Sequence, residues 1–228
     1  MKTKLAMLVF LPTALMTLAV PAHSEIVLSQ LVLDVAAQRP GRQDVEISNT
    51  GKERAYVSVT PAEIVGAGTD GEKRVEERDP EKLGILVSPA RLILEPGQHK
   101  IIRVTPLGNA PARERVYRMT VRPEVGDIAD DQSGLKILIG YDVLVILRPA
   151  GASPKLTGRW SGSQLEILNE GNSSVELTGG RQCISPDQCK DLPPKRLYAG
   201  ASWVVPVTGH YPVEYRYPQN GRSQTVRF

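Results

Sequence analysis

The chain has 228 residues, 41% of them hydrophobic and 23% charged, with 20 Gly, 18 Pro and 2 Cys, a globular composition that excludes collagen-like, disordered and disulfide-scaffold classes. Three His, 2 Trp, 7 Tyr and 2 Phe leave little material for a His-rich metal site or a sugar-stacking platform. The net charge of +3 owes much to the first few residues and therefore says little about partners.

Lys2 and Lys4 precede an uncharged, mostly apolar stretch from Leu5 to Val20, and Pro21-Ala22-His23-Ser24 follows. This order of basic, apolar and small residues predicts an export signal over residues 1–24, cleaved after Ser24 or Ala22. The alternative, an uncleaved anchor, is disfavoured by Pro12 and Pro21 and by a length short of the roughly 20 apolar residues a span requires. Without residues 1–24 the balance is 26 basic to 25 acidic residues. No dense basic run remains to attract nucleic acid or anionic lipid, so a soluble chain in an exported, oxidising compartment is expected.

From Glu25 onward the signals are those of strands: 26–35, 43–49, 55–65, 85–93, 99–105, 115–122 and 135–147. Turn clusters such as Arg39-Pro40-Gly41, Asn49-Thr50-Gly51 and Glu95-Pro96-Gly97 separate them. Seven strands in about 125 residues predict an immunoglobulin-like sandwich. Gly66-Ala67-Gly68-Thr69-Asp70-Gly71 matches a dinucleotide-binding pattern, but the charged run from Glu72 to Leu83 cannot supply the amphipathic helix that would receive a pyrophosphate. A glycine-rich loop leading into a loop or solvated hairpin arm is expected instead. Glu76, Glu77, Asp79 and Glu81 lie among Arg78 and Lys82, which reads as a solvated face rather than a catalytic pair. His99 and His210 are expected to face solvent. With no Gly-x-Ser-x-Gly elbow and no assembled nucleophile and base, the chain reads as non-enzymatic, with no cofactor and no metal.

Beyond Arg148-Pro149 the run Ala150-Gly151-Ala152-Ser153-Pro154 reads as a hinge. Shorter strands are predicted around 156–160, 164–169, 173–178, 195–198, 202–208, 211–217 and 223–228. The expected architecture is all-β, two sandwich domains over residues 25–148 and 149–228. Cys183 and Cys189 are too widely spaced for a Cys-x-x-Cys redox motif and too few for a structural zinc site. In an oxidising compartment they are expected to form a disulfide that pins a local hairpin. Asn172-Ser173-Ser174 fits a glycosylation acceptor, relevant only to a eukaryotic secretory route.

Leu135 to Pro149, LKILIGYDVLVILRP, is the most informative segment. Its alternate positions Leu135, Ile137, Ile139, Tyr141, Val143, Val145 and Leu147 are all apolar. The run exceeds the usual strand length of about five or six residues. Such a strand either crosses the whole sandwich as ordinary core or presents an edge that other chains can pair with.

In chain order stand Val45-Glu46-Ile47-Ser48-Asn49, then Leu86-Val87-Ser88-Pro89-Ala90-Arg91-Leu92-Ile93-Leu94-Glu95-Pro96-Gly97-Gln98, Arg113-Glu114-Arg115-Val116-Tyr117 and the alternating strand ending in Arg148-Pro149. This series resembles the PapD-like periplasmic pilus chaperones of the chaperone-usher family, and the Cys pair is similar to that of the Ecp or α-type fimbrial chaperones. The resemblance implies two immunoglobulin-like domains in an L or boomerang with a cleft between them. It also implies capture of pilin or fimbrial subunits by donor-strand complementation, in which the chaperone lends a strand to the subunit, and delivery to an outer-membrane usher.

The family's donor positions fall on Leu135, Ile137 and Ile139, with Tyr141 next on the same face. Glu114 and Arg148 match an interdomain ion network whose Asp from the second domain has no clear counterpart near Pro218-Gln219-Asn220-Gly221. The cations that hold a subunit's C-terminal carboxylate in typical members are also missing: Leu144 occupies one position, and residues 25–38 contain no basic residue. Either another cation such as Arg91 or Arg103 serves instead, or the chain is a divergent branch that holds subunits chiefly through the lent strand. An exported two-domain adhesive or carbohydrate-binding module is the alternative function.

Overall fold

The computed structural model describes residues 26–36, 41–124, 138–185, 187–219 and 221–228. Its first half consists of β1 (Ile26–Leu28), β2 (Val32–Val35), β3 (Gln43–Asn49), β4 (Ala55–Val65), β5 (Lys73–Val75), α1 (Pro80–Leu83), β6 (Ile85–Ser88), β7 (Arg91–Leu94), β8 (His99–Pro106), β9 (Arg115–Glu124) and β10 (Tyr141–Leu147). One sheet has the order β1-β3-β8-β6; the other runs β2-β10-β9-β4, with β5 and β7 both paired to β4. Alternation places one face of each strand inside. Val45 and Ile47 of β3, Ile102 and Val104 of β8, Met119 and Val121 of β9, and Val143 and Val145 of β10 belong to one buried cluster, the inward row expected of two packed sheets.

Two of the expected strands are each broken in two, and each break moves the chain between sheets. Residues 26–35 divide into β1, antiparallel to β3, and β2, parallel to β10. The crossing is held by Ser29, whose N–H donates to Glu46 O (2.9 Å) and whose Oγ accepts from Glu46 N (3.0 Å). Residues 85–93 divide at Pro89, which has no N–H for a ladder; β6 pairs β8 and β7 pairs β4. The charged run after Gly71 contains an exposed hairpin arm, β5, as expected, and also the helical turn α1. Asp79 caps α1 by accepting from Glu81 N at 3.0 Å, with Pro80 in the first turn and Gly84 at φ 81° ending it. Leu83 is buried, and its carbonyl accepts from the Tyr117 hydroxyl at 3.0 Å.

The second half comprises β11 (Leu156–Ser161), β12 (Gln164–Asn169), β13 (Val175–Ser185), β14 (Gln188–Leu192), β15 (Lys195–Leu197), β16 (Ser202–Val205), β17 (Val213–Gln219) and β18 (Arg222–Arg227). A β11-β12-β16 sheet and a β14-β13-β17-β18 sheet, with β15 paired to β13, enclose Leu165, Ile167, Leu177, Val213 and Tyr215. Burial pushes the Tyr215 hydroxyl up to about 12, and that hydroxyl donates to Pro193 O at 3.1 Å. The two sandwiches share an internal device. Asn49 and Asn169 end β3 and β12, are almost fully buried, and accept from the N–H of Gly51 (2.9 Å) and Gly171 (3.0 Å). Their amides donate to Glu53 O (2.7 Å) and Leu94 O (3.0 Å) in one sandwich. In the other they donate to Ser173 O (2.9 Å) and Leu197 O (3.1 Å). No helix among the described residues is long and apolar enough to cross a membrane.

Cys183 and Cys189 face each other across the β13–β14 hairpin and are joined by a disulfide, Cα atoms 4.0 Å apart. The loop it closes is short, so its loss should cost only about 2 kcal/mol on the loop-entropy model. Urea unfolding of Cys183→Ser with Cys189→Ser is expected to show a second half weakened by about that amount, with the first half unchanged. Tyr117→Phe should cost about 1–2 kcal/mol by leaving the Leu83 carbonyl without its donor, read as a lower urea midpoint at constant slope.

Candidate functional site

β10, which follows the donor positions given by resemblance, is buried on both faces from Val143 to Leu147. Inward, Tyr141, Val143, Val145 and Leu147 pack in the first core, and the Tyr141 hydroxyl donates to Ile26 O at 2.6 Å. Outward, Leu144 and Ile146 form a separate cluster with Val116, Ala67, Ile64 and Tyr198. The expected single strand over 135–147 is regular only from Tyr141 among the described residues, because 138–140 lie outside the ladder. Leu135 and Ile137 fall outside the described residues. Ile139 is 41% exposed. The Tyr141 ring is partly buried against the first sandwich.

The edges of β10 differ along its length. β9 pairs all of Tyr141 to Leu147, whereas β2 pairs only Leu144 to Leu147. At Leu144 to Leu147 β10 therefore has a strand on both sides, and its pairing with β2 ends at Leu144. An edge that its neighbour leaves part-way along is the kind of geometry to which an extended segment of another chain can add.

At the other end of β10 lies a buried polar node. The Glu114 side chain is 2% exposed and lies 3.1 Å from Arg148 Nη1. It also accepts from the backbone N–H of Ser174 and of Ala199, the latter at 3.0 Å. Arg148 Nη1 further donates to Ser173 Oγ (2.7 Å) and Ser174 O (2.9 Å). Its Nε and Nη2 grip Asp34 of β2 at 2.8 and 2.7 Å. Burial works against the Arg148 charge, but the hydrogen bonds and field of Asp34 and the field of Glu114 outweigh it and hold the guanidinium above its ordinary range. The third charged member of the network is thus Asp34 from the first half, while the second half contributes hydroxyls and backbone groups. Nothing in the sequence pattern singles out Asp34, Ser173 or Ser174, and the Asn172 motif reads there only as a glycan acceptor. In the fold its amide donates to Ala112 O (3.3 Å) and Gly151 O (3.0 Å), so it too ties the halves together.

Arg91 and Arg103 are not at this junction. Arg103 makes a two-point bond to Asp44, 2.7 Å for each contact, on the opposite sheet, and its hydrogen bonds hold the Asp44 carboxyl below its ordinary value. Arg91 lies beside Ser58 in register, and Ser58 is roughly 17 Å along β4 from Glu63 at about 3.3 Å per residue. Glu63 is the β4 residue at the junction end, where it pairs with Arg115 at 2.6 Å. Leu144, standing where typical members carry a Lys, pairs in register with Val32 and is covered by the apolar cluster described above. Farther along the same outer face, Arg74 of β5 reaches Asp142 (3.2 Å) and Thr120 (2.6 Å), bracing the start of β10.

Residues 25–153, more than half of the chain, match the family model described as pili and flagellar-assembly chaperone, PapD N-terminal domain. The chain belongs to this family of pilus-assembly chaperones. Among curated proteins it is similar to a CFA/I fimbrial subunit of Escherichia coli, 28% identical over 179 residues, which is 73% of this chain and 74% of that protein. In fold it is similar to the class 5 fimbriae chaperone CfaA, with a TM-score of 0.70, 22% identity and coverage of 89% of this chain and 98% of the other. A chain of the CsuC–CsuE chaperone and tip adhesion subunit complex from archaic Csu pili of Acinetobacter baumannii gives a TM-score of 0.60 at 14% identity, covering 89% and 97%. A chain of the Salmonella enterica SafA pilin complex with the SafB chaperone gives 0.63 at 15%, covering 92% and 98%. These structures share the two-domain immunoglobulin-like fold.

Removing the Glu114 carboxylate leaves two buried N–H groups and part of Arg148 without an acceptor. Glu114→Ala should destabilise the protein by roughly 3–5 kcal/mol, measured by urea unfolding.

Proposed function

We propose that this protein is a periplasmic chaperone that captures pilin or fimbrial subunits by lending them a strand, then delivers them to an outer-membrane usher. The family carries the reading, and the end of the β2 pairing at Leu144, part-way along β10, supports it. An incomplete subunit sandwich lacks one strand; an extended segment on that edge would supply main-chain hydrogen bonds, while Leu135, Ile137 and Ile139 would fill apolar pockets. Each buried aliphatic side chain would contribute roughly 1.5–3 kcal/mol before ordering costs. Tyr141, next on the same face, would extend the row while its hydroxyl ties the strand to Ile26. The work is binding, without catalysis or cofactor. The leader over residues 1–24 would place the chain in the periplasm, and the two working domains are residues 25–148 and 149–228.

The lack of a junction Lys distinguishes the site from the typical one. With Leu144 covered and Arg148 engaged by two carboxylates, the lent strand is the main source of affinity here. Ile137→Asp with Ile139→Asp is expected to abolish co-purification with a co-expressed pilin while the free protein keeps its unfolding midpoint. Wild-type pilin yield from that variant would refute the assignment. A glycan-array signal without pilin binding would support the adhesive module in its place.

A further inference from the structure

We propose that Tyr198 is a positioning residue for β10: it plugs the second domain onto the outer face of that strand and holds it in the register needed for capture. The proposal rests on the lent-strand reading above. Tyr198 follows β15 and is packed both against the second core and in the outer cluster with Leu144 and Ile146. The seat on the first domain is the glycine-rich loop whose sequence mimics a nucleotide-binding motif. A Cβ built on Gly68 would lie 2.9 Å from the Tyr198 ring and 3.5 Å from the Ala201 Cβ, closer than a side chain tolerates against the ring. Gly68 N–H is turned back to Glu72 Oε2 at 2.7 Å, and Thr69 Oγ1 donates to Gly66 O at 2.7 Å, so the loop is a built surface.

The plug is gripped from its own side as well. Ala199 N–H donates to Glu114, and Gly200 N–H donates to the carbonyl of buried Asn169 at 2.7 Å. Burial raises the Tyr198 hydroxyl above its ordinary value, consistent with a ring set into the junction. Leu144 and Ile146 are 6% and 0% exposed, although they lie on the outer face of their sheet. Removing the ring would uncover them and free the strand from its outer support.

Hydrogen exchange of the full chain tests this without any pilin present. Tyr198→Ala and Gly68→Ala are expected to speed exchange of the Val143 to Leu147 amides roughly tenfold and to lower pilin capture. Tyr198→Phe, which keeps the ring, should restore both. Gly66→Ala serves as the control for backbone strain, because Gly66 has a similar φ of 69° but its Cβ would meet Thr69 rather than Tyr198. Amides of β12 and β17 read the folding of the second domain in the same experiment, and Gly68→Ala leaves that core's own residues intact. Wild-type exchange in β10 for both Tyr198→Ala and Gly68→Ala, or unchanged capture despite faster exchange, overturns the positioning role. Capture retained by Ile137→Asp with Ile139→Asp overturns instead the lent-strand reading on which it rests.

Discussion

A carboxylate removed from water must find donors or become prohibitively costly, and Glu114 is almost wholly buried. Its donors come from three separated places: Arg148 just past β10, the N–H at the entry to β13, and the N–H in the turn after β15. None of these is close to Glu114 in sequence. The arrangement of the halves follows from satisfying this one group, since β9, β10, β13 and the Tyr198 turn must all converge on it. Backbone N–H groups cannot swing toward a charge as a Lys side chain can, so the second domain must already be folded where it meets the first.

Arg148 extends the constraint along the first domain. Its guanidinium joins Glu114 to Asp34 of β2, and β2 pairs in parallel with the end of β10. The polar node and the strand ladder therefore share a boundary at Leu147. From Leu144 to Leu147 β10 is walled on both edges and both faces, and ahead of Leu144 the β2 pairing ends. A strand rooted firmly at one end can offer its other end without losing its place in the core. The replacement of a cation by Leu144 belongs to the same design, because an uncharged side chain can sit under Ala67 and Tyr198 where an ammonium group would need water or an acid.

Alternation makes the sandwiches legible: β3, β4 and β12 are read from period-two burial alone, and the disulfide follows from compartment and spacing. The breaks in residues 26–35 and 85–93 are harder to see, since an apolar run does not say that its two ends serve different sheets. Pro89 marks one break chemically; the other depends on Ser29 meeting Glu46, a contact that spacing cannot reveal. Charge hides α1, although Asp79, Pro80 and Gly84 carry its start and stop. At the site, Glu114 and Arg148 are found through family position. Asp34 and Ser174 leave no such trace, because an acid on an edge strand and a serine before a strand are ordinary residues until the fold brings them to a guanidinium. The same holds for Gly68, whose reason for lacking a side chain is a ring from the other domain.

The parallel pairing of β2 with β10 has a temporal consequence. A polypeptide that emerges N-terminus first presents β2 long before its partner exists, because nearly the whole first domain lies between Val32 and Leu144. Such late, non-local closure slows folding and leaves a half-made sheet exposed in the interval. The helper that shields unfinished sandwiches would itself pass through an unfinished sandwich, and its vulnerable period would end only when Arg148 and the residues beyond it arrive.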